Sequence, residues 1–235
     1  MPGKLYLIPT LISEEAAAES ISAPVVKTVG QLRIFFVEEE KTARRFLKKI
    51  IPSLPLPECV FYPLNEHTVP QQVKEYFQDI REKEAGIISE SGCPCVADPG
   101  ADIVLLAHKN HMEVIPLAGH SSILLALMAS GLNGQNFAFN GYLPKEKDAR
   151  IKQIKELEKR SLTEVQTQIF METPYRNQNI FEDLLAACDP GTLLCVAVDL
   201  TGAAQDIKTL SIKEWKQANR TIAKKPALFL LGRGK

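Results

Sequence analysis

Glu90 is the residue whose position in the sequence points most directly to chemistry. It directly follows the apolar run 86–89, which has the composition of a buried strand. Ligands of open α/β sheets bind beyond the carboxyl ends of the strands, where a carboxylate can accept hydrogen bonds from ribose hydroxyls or from an amine. An exposed turn carboxylate accounts for the same position, and position alone leaves these two interpretations about even.

Glycine, proline and serine are concentrated in the turns that follow two of the predicted strands. Gly92, Cys93 and Pro94 come shortly after Glu90. Ser121 and Ser122 stand at the start of a predicted helix, where they either cap the helix or present backbone N–H groups to a ligand. The local sequence by itself favours capping.

Other short motifs in the chain have structural explanations. Asp98 is predicted to be the N-cap of a helix, with Pro99 at its first helical position. The common phosphate-binding patterns G-x-x-x-x-G-K-[ST] and G-x-G-x-x-G are absent. The five cysteines are odd in number and scattered, and neither they nor the four histidines have the spacing of a metal site. We therefore predict no disulfide framework and no metal.

Strand-like and helix-like segments alternate along the chain, which predicts an α/β fold with βαβ units on a parallel sheet. Predicted strands lie at 5–8, 31–37, 59–62, 86–89, 112–117, 136–139, 167–172, 193–199 and 227–232. Predicted helices lie at 38–50, 69–83, 100–109, 121–131, 145–160, 177–188 and 212–218, and the segment 9–19 is predicted to begin as a loop and become helical.

Composition bounds the class of protein. The 235 residues are 45% hydrophobic and 24% charged, which is typical of a globular protein with one large domain or two small ones. The net charge of zero gives no global basic field for nucleic acid, although a local patch would suffice. No apolar run is long enough for a bilayer or a signal peptide, so we expect no membrane association and a cytoplasmic location.

An abrupt change in composition after 142–144 predicts a boundary between two domains, 1–142 and 143–235. The segment 145–160 is dense in charge, with acidic and basic residues interleaved. Such a pattern is more typical of a solvated helix face than of a nucleic-acid groove.

The order of several motifs resembles the tetrapyrrole methylase superfamily, the class III S-adenosylmethionine-dependent methyltransferases. Within it the chain is most similar to the branch that methylates the 2′-hydroxyl of a cytidine in small-subunit ribosomal RNA. The resemblance covers nearly the whole chain and rests on these segments in this order: GKLYLIPT at 3–10, NE at 65–66, SESGCP at 89–94, DPG at 98–100, PLAGHSS at 116–122, SGL at 130–132, FNGYLP at 139–144 and FMETPYR at 170–176.

The resemblance implies two α/β domains, with a mainly parallel sheet in the first and a mixed sheet in the second. It also implies S-adenosyl-L-methionine in the cleft between them, a homodimer, and ribosomal RNA or the small ribosomal subunit as substrate. The cofactor-binding positions that it implies are Pro9, Glu90, Gly92, Cys93, Pro94, Ser121, Ser122, Met171, Pro226 and Ala227.

The chain departs from the family's pattern mainly in the part expected to meet the acceptor. The first loop has Ser13, Glu14 and Glu15 in place of Gly-Asn-Leu, and 198–202 lacks the basic residues of the RNA branch. Glu66, or one of the glutamates at 38–40, is the hypothesised base for a hydroxyl acceptor. The alternatives are a methylase of a tetrapyrrole or other small molecule and a catalytically silent relative that binds a nucleotide or a partner protein.

Overall fold

Two compact units make up the chain, Met1–Ser121 and Ser122–Lys235. The structure, a computed structural model, describes residues 3–233. The first unit ends at Ser121, before the predicted domain boundary at 142/143. Both helix Ser122–Ser130 and strand Phe137–Tyr142 therefore belong to the second unit.

The first unit is built on a five-stranded sheet in the order β3-β2-β4-β1-β5, in which every pair of neighbours is parallel. Its strands are β1 (Lys4–Ile8), β2 (Ile34–Val37), β3 (Val60–Pro63), β4 (Glu84–Ile88) and β5 (Glu113–Pro116). All five carboxyl ends lie at one edge of the sheet, because the strands are parallel. The loops after β1, β2 and β4 therefore emerge beside one another.

Helices cover both faces of this sheet. They are α1 (Ala23–Gln31), α2 (Glu40–Ile50), α3 (Pro70–Ile80) and α4 (Ala101–Lys109). Successive strand residues point to opposite faces, and Phe35 packs with α1 and α2 whereas Phe36 packs with α3 and α4. A sheet buried on both faces explains why β2 and β4 are almost continuously apolar.

The second unit contains a mixed five-stranded sheet in the order β6-β7-β10-β8-β9. Its strands are β6 (Phe137–Tyr142), β7 (Thr167–Glu172), β8 (Leu193–Val198), β9 (Asp206–Ser211) and β10 (Ala227–Gly232). β6 and β7 are parallel, and the other neighbours are antiparallel. The predicted fold class, with a parallel and a mixed sheet, is confirmed.

The helices of the second unit are α5 (Ser122–Ser130), α6 (Lys147–Thr163), α7 (Asn177–Ala187) and α8 (Ile212–Ala218). Trp215 of α8 is buried in the core, where its indole meets Phe181 edge to face at 5.3 Å. The indole Nε1 donates a hydrogen bond to the carbonyl of Leu194 at 2.8 Å, which satisfies its polar atom.

Three local predictions were wrong. The predicted helix within 9–19 is a turn with a short 3-10 segment, and the full helix α1 comes later, where Pro24 fits its first turn and Val25 and Val29 are buried. Strand β9 was missed because its residues are only partly buried and carry no strong apolar alternation. Asp98 does not cap α4, since Gly100 holds the N-cap position.

No helix among the described residues 3–233 is both long enough and apolar enough to cross a membrane.

Candidate functional site

The loops after β1 and β4 interlock at the carboxyl edge of the first sheet. The backbone N–H of Thr10 donates to the carbonyl of Gly92 at 2.8 Å. The hydroxyls of Thr10 and Ser89 lie 3.1 Å apart, and Ser89 Oγ donates to the same Gly92 carbonyl at 2.8 Å. Because Thr10 and Ser89 are buried, these bonds fix the loop beside Pro9 against the turn that contains Gly92.

The loop after β5 joins the same arrangement. The Cys93 thiol donates to the carbonyl of His120 at 3.3 Å and also shares a side-chain hydrogen bond with Ser121. Gly119 lies so close to Pro9 that a Cβ atom there would collide with the proline ring. The structure thus brings Pro9, Gly92, Cys93 and Ser121 together, as the resemblance implies, although all four remain predicted cofactor contacts.

The turn between β4 and α4 has an unusual backbone. Gly92, Cys95, Ala97 and Gly100 all have positive φ, at 76°, 65°, 60° and 130°. Left-handed conformations at non-glycine residues such as Cys95 and Ala97 cost free energy and concentrate at functional sites, where the surrounding contacts enforce them. The predicted contacts Gly92, Cys93 and Pro94 therefore lie in a turn whose shape is held by its packing.

Glu90 lies where β4 ends, beside the start of α2. Its Oε1 accepts a hydrogen bond from the backbone N–H of Glu39 at 3.3 Å. Burial raises the pKa of the Glu90 carboxyl, and the nearby carboxylates of Glu38 and Glu39 raise it further, against the lowering effect of the Glu39 N–H and of Thr42. A ligand that donates hydrogen bonds to Glu90 would relieve part of this cost.

Asp98 is a functional candidate that the sequence analysis assigned only to helix capping. Its Oδ2 is buried and has no hydrogen-bond partner among residues 3–233. Burial, and after it the nearby carboxylates of Glu38 and Glu90, raises the pKa of Asp98 to about 6. A perturbed acid at a strand-end site is a typical feature of catalytic centres. The sequence held no signal for this burial, since it depends on the fold of the turn.

A cavity of about 430 Å³ opens beside Glu90. Its wall combines the polar strand-end residues with an apolar side and with charged residues of the first loop and α2. The lining is Thr10, Leu11, Ile12, Glu14, Thr42, Ala43, Arg45, Phe46, Lys49, Ser89 and Glu90. A pocket of this size with few polar groups on an apolar wall is typical of small-molecule sites.

The first loop, where the chain departs from the family pattern, is fastened to α2. Arg45 Nη1 lies 3.3 Å from the carboxylate of Glu14. Lys49 Nζ donates to the carbonyls of Glu14 and Ala16 at 2.7 and 2.8 Å. Of these contacts, the ion pair with Arg45 depends on the glutamate side chain, whereas Lys49 binds main-chain carbonyls.

The remaining predicted cofactor contacts lie in the second unit. Ser122 begins α5. Met171 on β7 and Ala227 on β10 occupy neighbouring antiparallel strands, with Met171 paired to Leu228. Pro226 precedes β10, and its carbonyl accepts the backbone N–H of Asp199 at 2.9 Å. These positions are compatible with one binding surface within the second unit, and their contact with a cofactor remains a prediction.

Glu66, the hypothesised base, lies in the loop after β3 with its side chain 87% exposed. Its carboxylate is 3.6 Å from Nε2 of His67, which is equally exposed. Glu66 does not line the 430 Å³ cavity, whereas Glu90 does. Its role as a base remains a prediction.

Structural comparison defines the class of protein. The chain has the tetrapyrrole methylase fold: it superposes on the methyltransferase CobJ with a TM-score of 0.60 and 17% identity, over 99% of this chain and 95% of that one. It also superposes on the uroporphyrin-III C-methyl transferase of Thermus thermophilus, solved in complex with S-adenosylhomocysteine. That match has a TM-score of 0.57 and 14% identity, over 98% and 97% of the two chains.

Sequence comparison is more specific. The chain is 29% identical over 184 residues to the ribosomal RNA small subunit methyltransferase I of Halalkalibacterium halodurans, over 78% of this chain and 60% of that protein. It is 25% identical over 241 residues to the protein of the same name from Haemophilus influenzae, over 100% of this chain and 80% of that protein. The resemblance to methyltransferases of this superfamily, closest to the ribosomal RNA branch, is confirmed. No protein-family model matches the chain.

Proposed function

We propose that the chain is an S-adenosylmethionine-dependent methyltransferase whose cofactor lies against the strand-end loops of the first unit. The observation that carries the proposal is the interlocking of three loops, which places Pro9, Glu90, Gly92, Cys93 and Ser121 around one edge of the sheet. The likeness to named methyltransferases and to a neighbour solved with S-adenosylhomocysteine supports the same cofactor.

The residues present fit such a cofactor. Glu90 supplies a carboxylate for the ribose hydroxyls, and Leu11, Ile12 and Phe46 supply an apolar wall. We assign the contacts of the second unit to Ser122, Met171, Pro226 and Ala227, as the family resemblance implies. The cofactor, when bound, supplies an electrophilic methyl group on a sulfonium centre.

We propose a ribose 2′-hydroxyl of ribosomal RNA as the acceptor, which would also place the protein in the cytoplasm. The names of the sequence relatives support this substrate. The chain has to align the hydroxyl in line with the methyl group, exclude water and accept the hydroxyl proton. Asp98 joins Glu66 and the glutamates at 38–40 as a candidate base, because a carboxyl with a pKa of about 6 is ionised at neutral pH and is more basic than an ordinary aspartate.

Calorimetric titration of S-adenosylmethionine into the purified protein tests the cofactor site. We expect clear binding by the unchanged chain and binding weakened about tenfold or more in Glu90→Ala, since a charge-assisted hydrogen bond contributes roughly 1.5–3 kcal/mol. Glu84→Ala is the matched control, because Glu84 lies at the opposite end of the same strand. Absence of binding by the unchanged chain, or equal affinity in Glu90→Ala and Glu84→Ala, would contradict the proposal.

Methyl transfer from the labelled cofactor tests the acceptor. Incorporation into the RNA of isolated small ribosomal subunits, at a ribose, is the expected result. Cofactor binding without incorporation into RNA would instead support the small-molecule alternative, to which the tetrapyrrole methylase neighbours belong. Cofactor binding with no transfer to any acceptor would support a silent relative.

We also propose a homodimer, on the family pattern alone. Light scattering coupled to gel filtration would distinguish a dimer from a monomer of 26.1 kDa. A monomeric mass at micromolar concentration would reject the dimer without affecting the cofactor site.

A further inference from the structure

A separate cavity of about 660 Å³ lies within the second unit, where β6 ends and the chain enters α6. Its wall includes Tyr142, Lys145, Gln153 and Thr173. Gln153 also borders an adjoining cavity of about 290 Å³, together with Lys152 and Glu156 of α6. The two cavities, joined at Gln153, form one surface that we call the α6 groove. None of its residues belongs to the site proposed for the cofactor.

The backbone at the head of the α6 groove is held by two arginines, the buried Arg150 and the half-buried Arg176. Arg150 donates to the carbonyls of Pro144 and Lys145 at 3.2 and 2.6 Å, and Arg176 donates to those of Leu143 and Pro144 at 3.2 and 3.0 Å. Three consecutive carbonyls are therefore fixed by charged donors, which are stronger than neutral ones. The side chain of Lys145 therefore extends from a backbone segment that is held in place by hydrogen bonds.

Each of these arginines is itself neutralised by a buried carboxylate. Arg150 pairs with Asp183 at 2.6 Å, and both side chains are almost completely buried. Arg176 pairs with Glu172 at 3.1 Å, and the Glu172 side chain is fully buried. These two carboxylates therefore hold the arginines in place.

Arg160 lines the groove as well but pairs with Glu164 at 3.5 Å. The remaining positive charge of the groove therefore comes from Lys145 and Lys152. Both are exposed, and neither forms an ion pair within residues 3–233. Glu156 also lines the groove, and within residues 3–233 it forms no ion pair with an arginine. The groove therefore contains two lysines that the sequence pattern alone assigned to a solvated face.

An exposed aromatic ring completes the surface. Tyr142 lines the larger cavity and is 55% exposed, which is unusual for so large a side chain. Tyr175, 88% exposed, follows Thr173 by two residues in the loop that borders the same cavity. Cations beside exposed aromatic rings bind single-stranded nucleic acid, because phosphates meet the cations and bases stack on the rings.

We propose that the α6 groove binds single-stranded RNA next to the acceptor nucleotide, with phosphates at Lys145 and Lys152 and a base stacked on Tyr142. The inference rests on the proposed methylation of RNA and names the part of the second unit that holds it. A folded protein partner is the competing occupant, but the fixed backbone carbonyls are already satisfied and offer it little beyond side chains.

Fluorescence anisotropy with a labelled single-stranded RNA of about a dozen nucleotides tests the groove, since sites of this kind span roughly 4–16 nucleotides. The test variant is Lys145→Gln/Lys152→Gln, and its matched control is Lys155→Gln/Lys159→Gln. The control removes the same charge from exposed positions of α6 that line neither cavity. Tyr142→Ala tests stacking without a change of charge.

We expect the test variant to lower the salt dependence of binding by about 1.4 in the slope of log K against log salt, since each phosphate contact on a single strand contributes about 0.7. Tyr142→Ala should weaken binding about fivefold or more with the slope unchanged. The control should leave the slope within a few tenths of the unchanged chain.

Equal salt-dependence slopes in the test and control variants, or no effect of Tyr142→Ala on affinity, would contradict RNA binding at the α6 groove. Calorimetry of the cofactor on the same variants separates this result from failure of the proposed function. Cofactor bound at unchanged affinity with RNA binding insensitive to Lys145 and Tyr142 rejects the groove alone. RNA binding that depends on these residues in a chain that binds no cofactor supports the groove and rejects the methyltransferase.

Discussion

Asp98 is a carboxyl group whose surroundings oppose its charge. Its Oδ2 lacks a partner within residues 3–233, and burial, together with the nearby carboxylates of Glu38 and Glu90, raises its pKa to about 6. The folded state therefore holds a proton on Asp98 at pH values where the unfolded chain, with an ordinary pKa near 3.8, has released it. The stabilising contribution of Asp98 to folding is fully present below pH 3.8 and is lost as the pH rises through about 6.

Asp98→Asn should consequently stabilise the protein at neutral pH but not in acid. Because Asp98 is only partly buried, we discount the shift for solvent screening and expect a gain of about 1 kcal/mol in the free energy of unfolding at pH 7.5. The gain should be nearly lost at about pH 3, where the carboxyl is largely protonated in both states. Urea unfolding of the two chains at both pH values measures it.

The control for this experiment is Glu66→Gln, which removes one negative charge from a carboxylate that is 87% exposed. We expect no more than a few tenths of a kcal/mol at either pH, since exposed pairs contribute little. An equal effect of Asp98→Asn at pH 7.5 and pH 3 would show that its charge is not the cause.

The raised pKa of Asp98 also predicts how turnover depends on pH. If Asp98 accepts the proton of the acceptor hydroxyl, the rate should rise with pH and level off above about 6, and Asp98→Asn should abolish this rise with little change in cofactor affinity. Glu66→Gln would produce the loss instead if Glu66 is the base. Methyl incorporation measured between pH 5 and 8 in both variants distinguishes the two assignments.

Among the elements, the strand-end turns were the best predicted part of the site. Glu90 was placed at the end of β4 by an apolar run followed by a polar turn, and the structure has β4 end at Ile88. The helix α1 was not predicted, because its valines favour strands and it is a helix only through packing of Val25 and Val29 in the core. The burial of Asp98 could not be predicted either, since this residue lies in a turn where non-glycine residues, Cys95 and Ala97, have positive φ that their residue types do not indicate.

Gly119→Ala tests whether the turn after β5 is fastened to the first loop as the structure shows. A Cβ atom at Gly119 would collide with the ring of Pro9, so the turn would have to move. Overpacking of this kind costs about 1–3 kcal/mol. We expect that loss in the free energy of unfolding, together with weaker binding of S-adenosylmethionine, because Ser121 moves with the turn.

Gly30→Ala is the matched control within the same unit. Gly30 lies in α1, and a Cβ atom there would meet only Ile51, at an ordinary 3.7 Å. Alanine is the better helix former, and a gain of about 0.5–1 kcal/mol is expected with cofactor binding unchanged. Gly119→Ala with the stability and affinity of the unchanged chain would show that the turn relaxes freely and is not part of the site.

The pair of Arg150 on α6 and Asp183 on α7 joins two helices and the segment 144–145. Arg150→Leu should cost about 3–5 kcal/mol, because it leaves the Asp183 carboxylate buried without its partner. Arg150→Leu/Asp183→Leu should recover a large part of this loss, since no buried charge remains. Chemical denaturation of the single and double variants measures the coupling, and additive losses would contradict a paired role.

For the chain as a whole, net charge is a poor guide to its proposed substrate. The sequence has 28 basic and 28 acidic residues, which argues against a basic field over the entire surface. In the folded chain, Asp183 and Glu172 form ion pairs with arginines. Lys145 and Lys152 line the α6 groove. Local pairing can therefore leave a cationic surface on a neutral protein, which linear charge patterns do not reveal.

Trp215 allows the two units to be followed separately. It is the single tryptophan of the chain and is buried in the core of the second unit, whereas the first unit has hydrophobic clusters of its own. We expect Gly119→Ala to lower the midpoint of thermal unfolding measured by circular dichroism more than the midpoint of Trp215 fluorescence.

Saturating S-adenosylmethionine should raise both midpoints, because the proposed contacts lie in both units. A ligand at about a hundred times its Kd stabilises the state that it binds by about 2.7 kcal/mol. A shift confined to the circular dichroism signal would reject the assignments of Met171, Pro226 and Ala227 while leaving Glu90 in place.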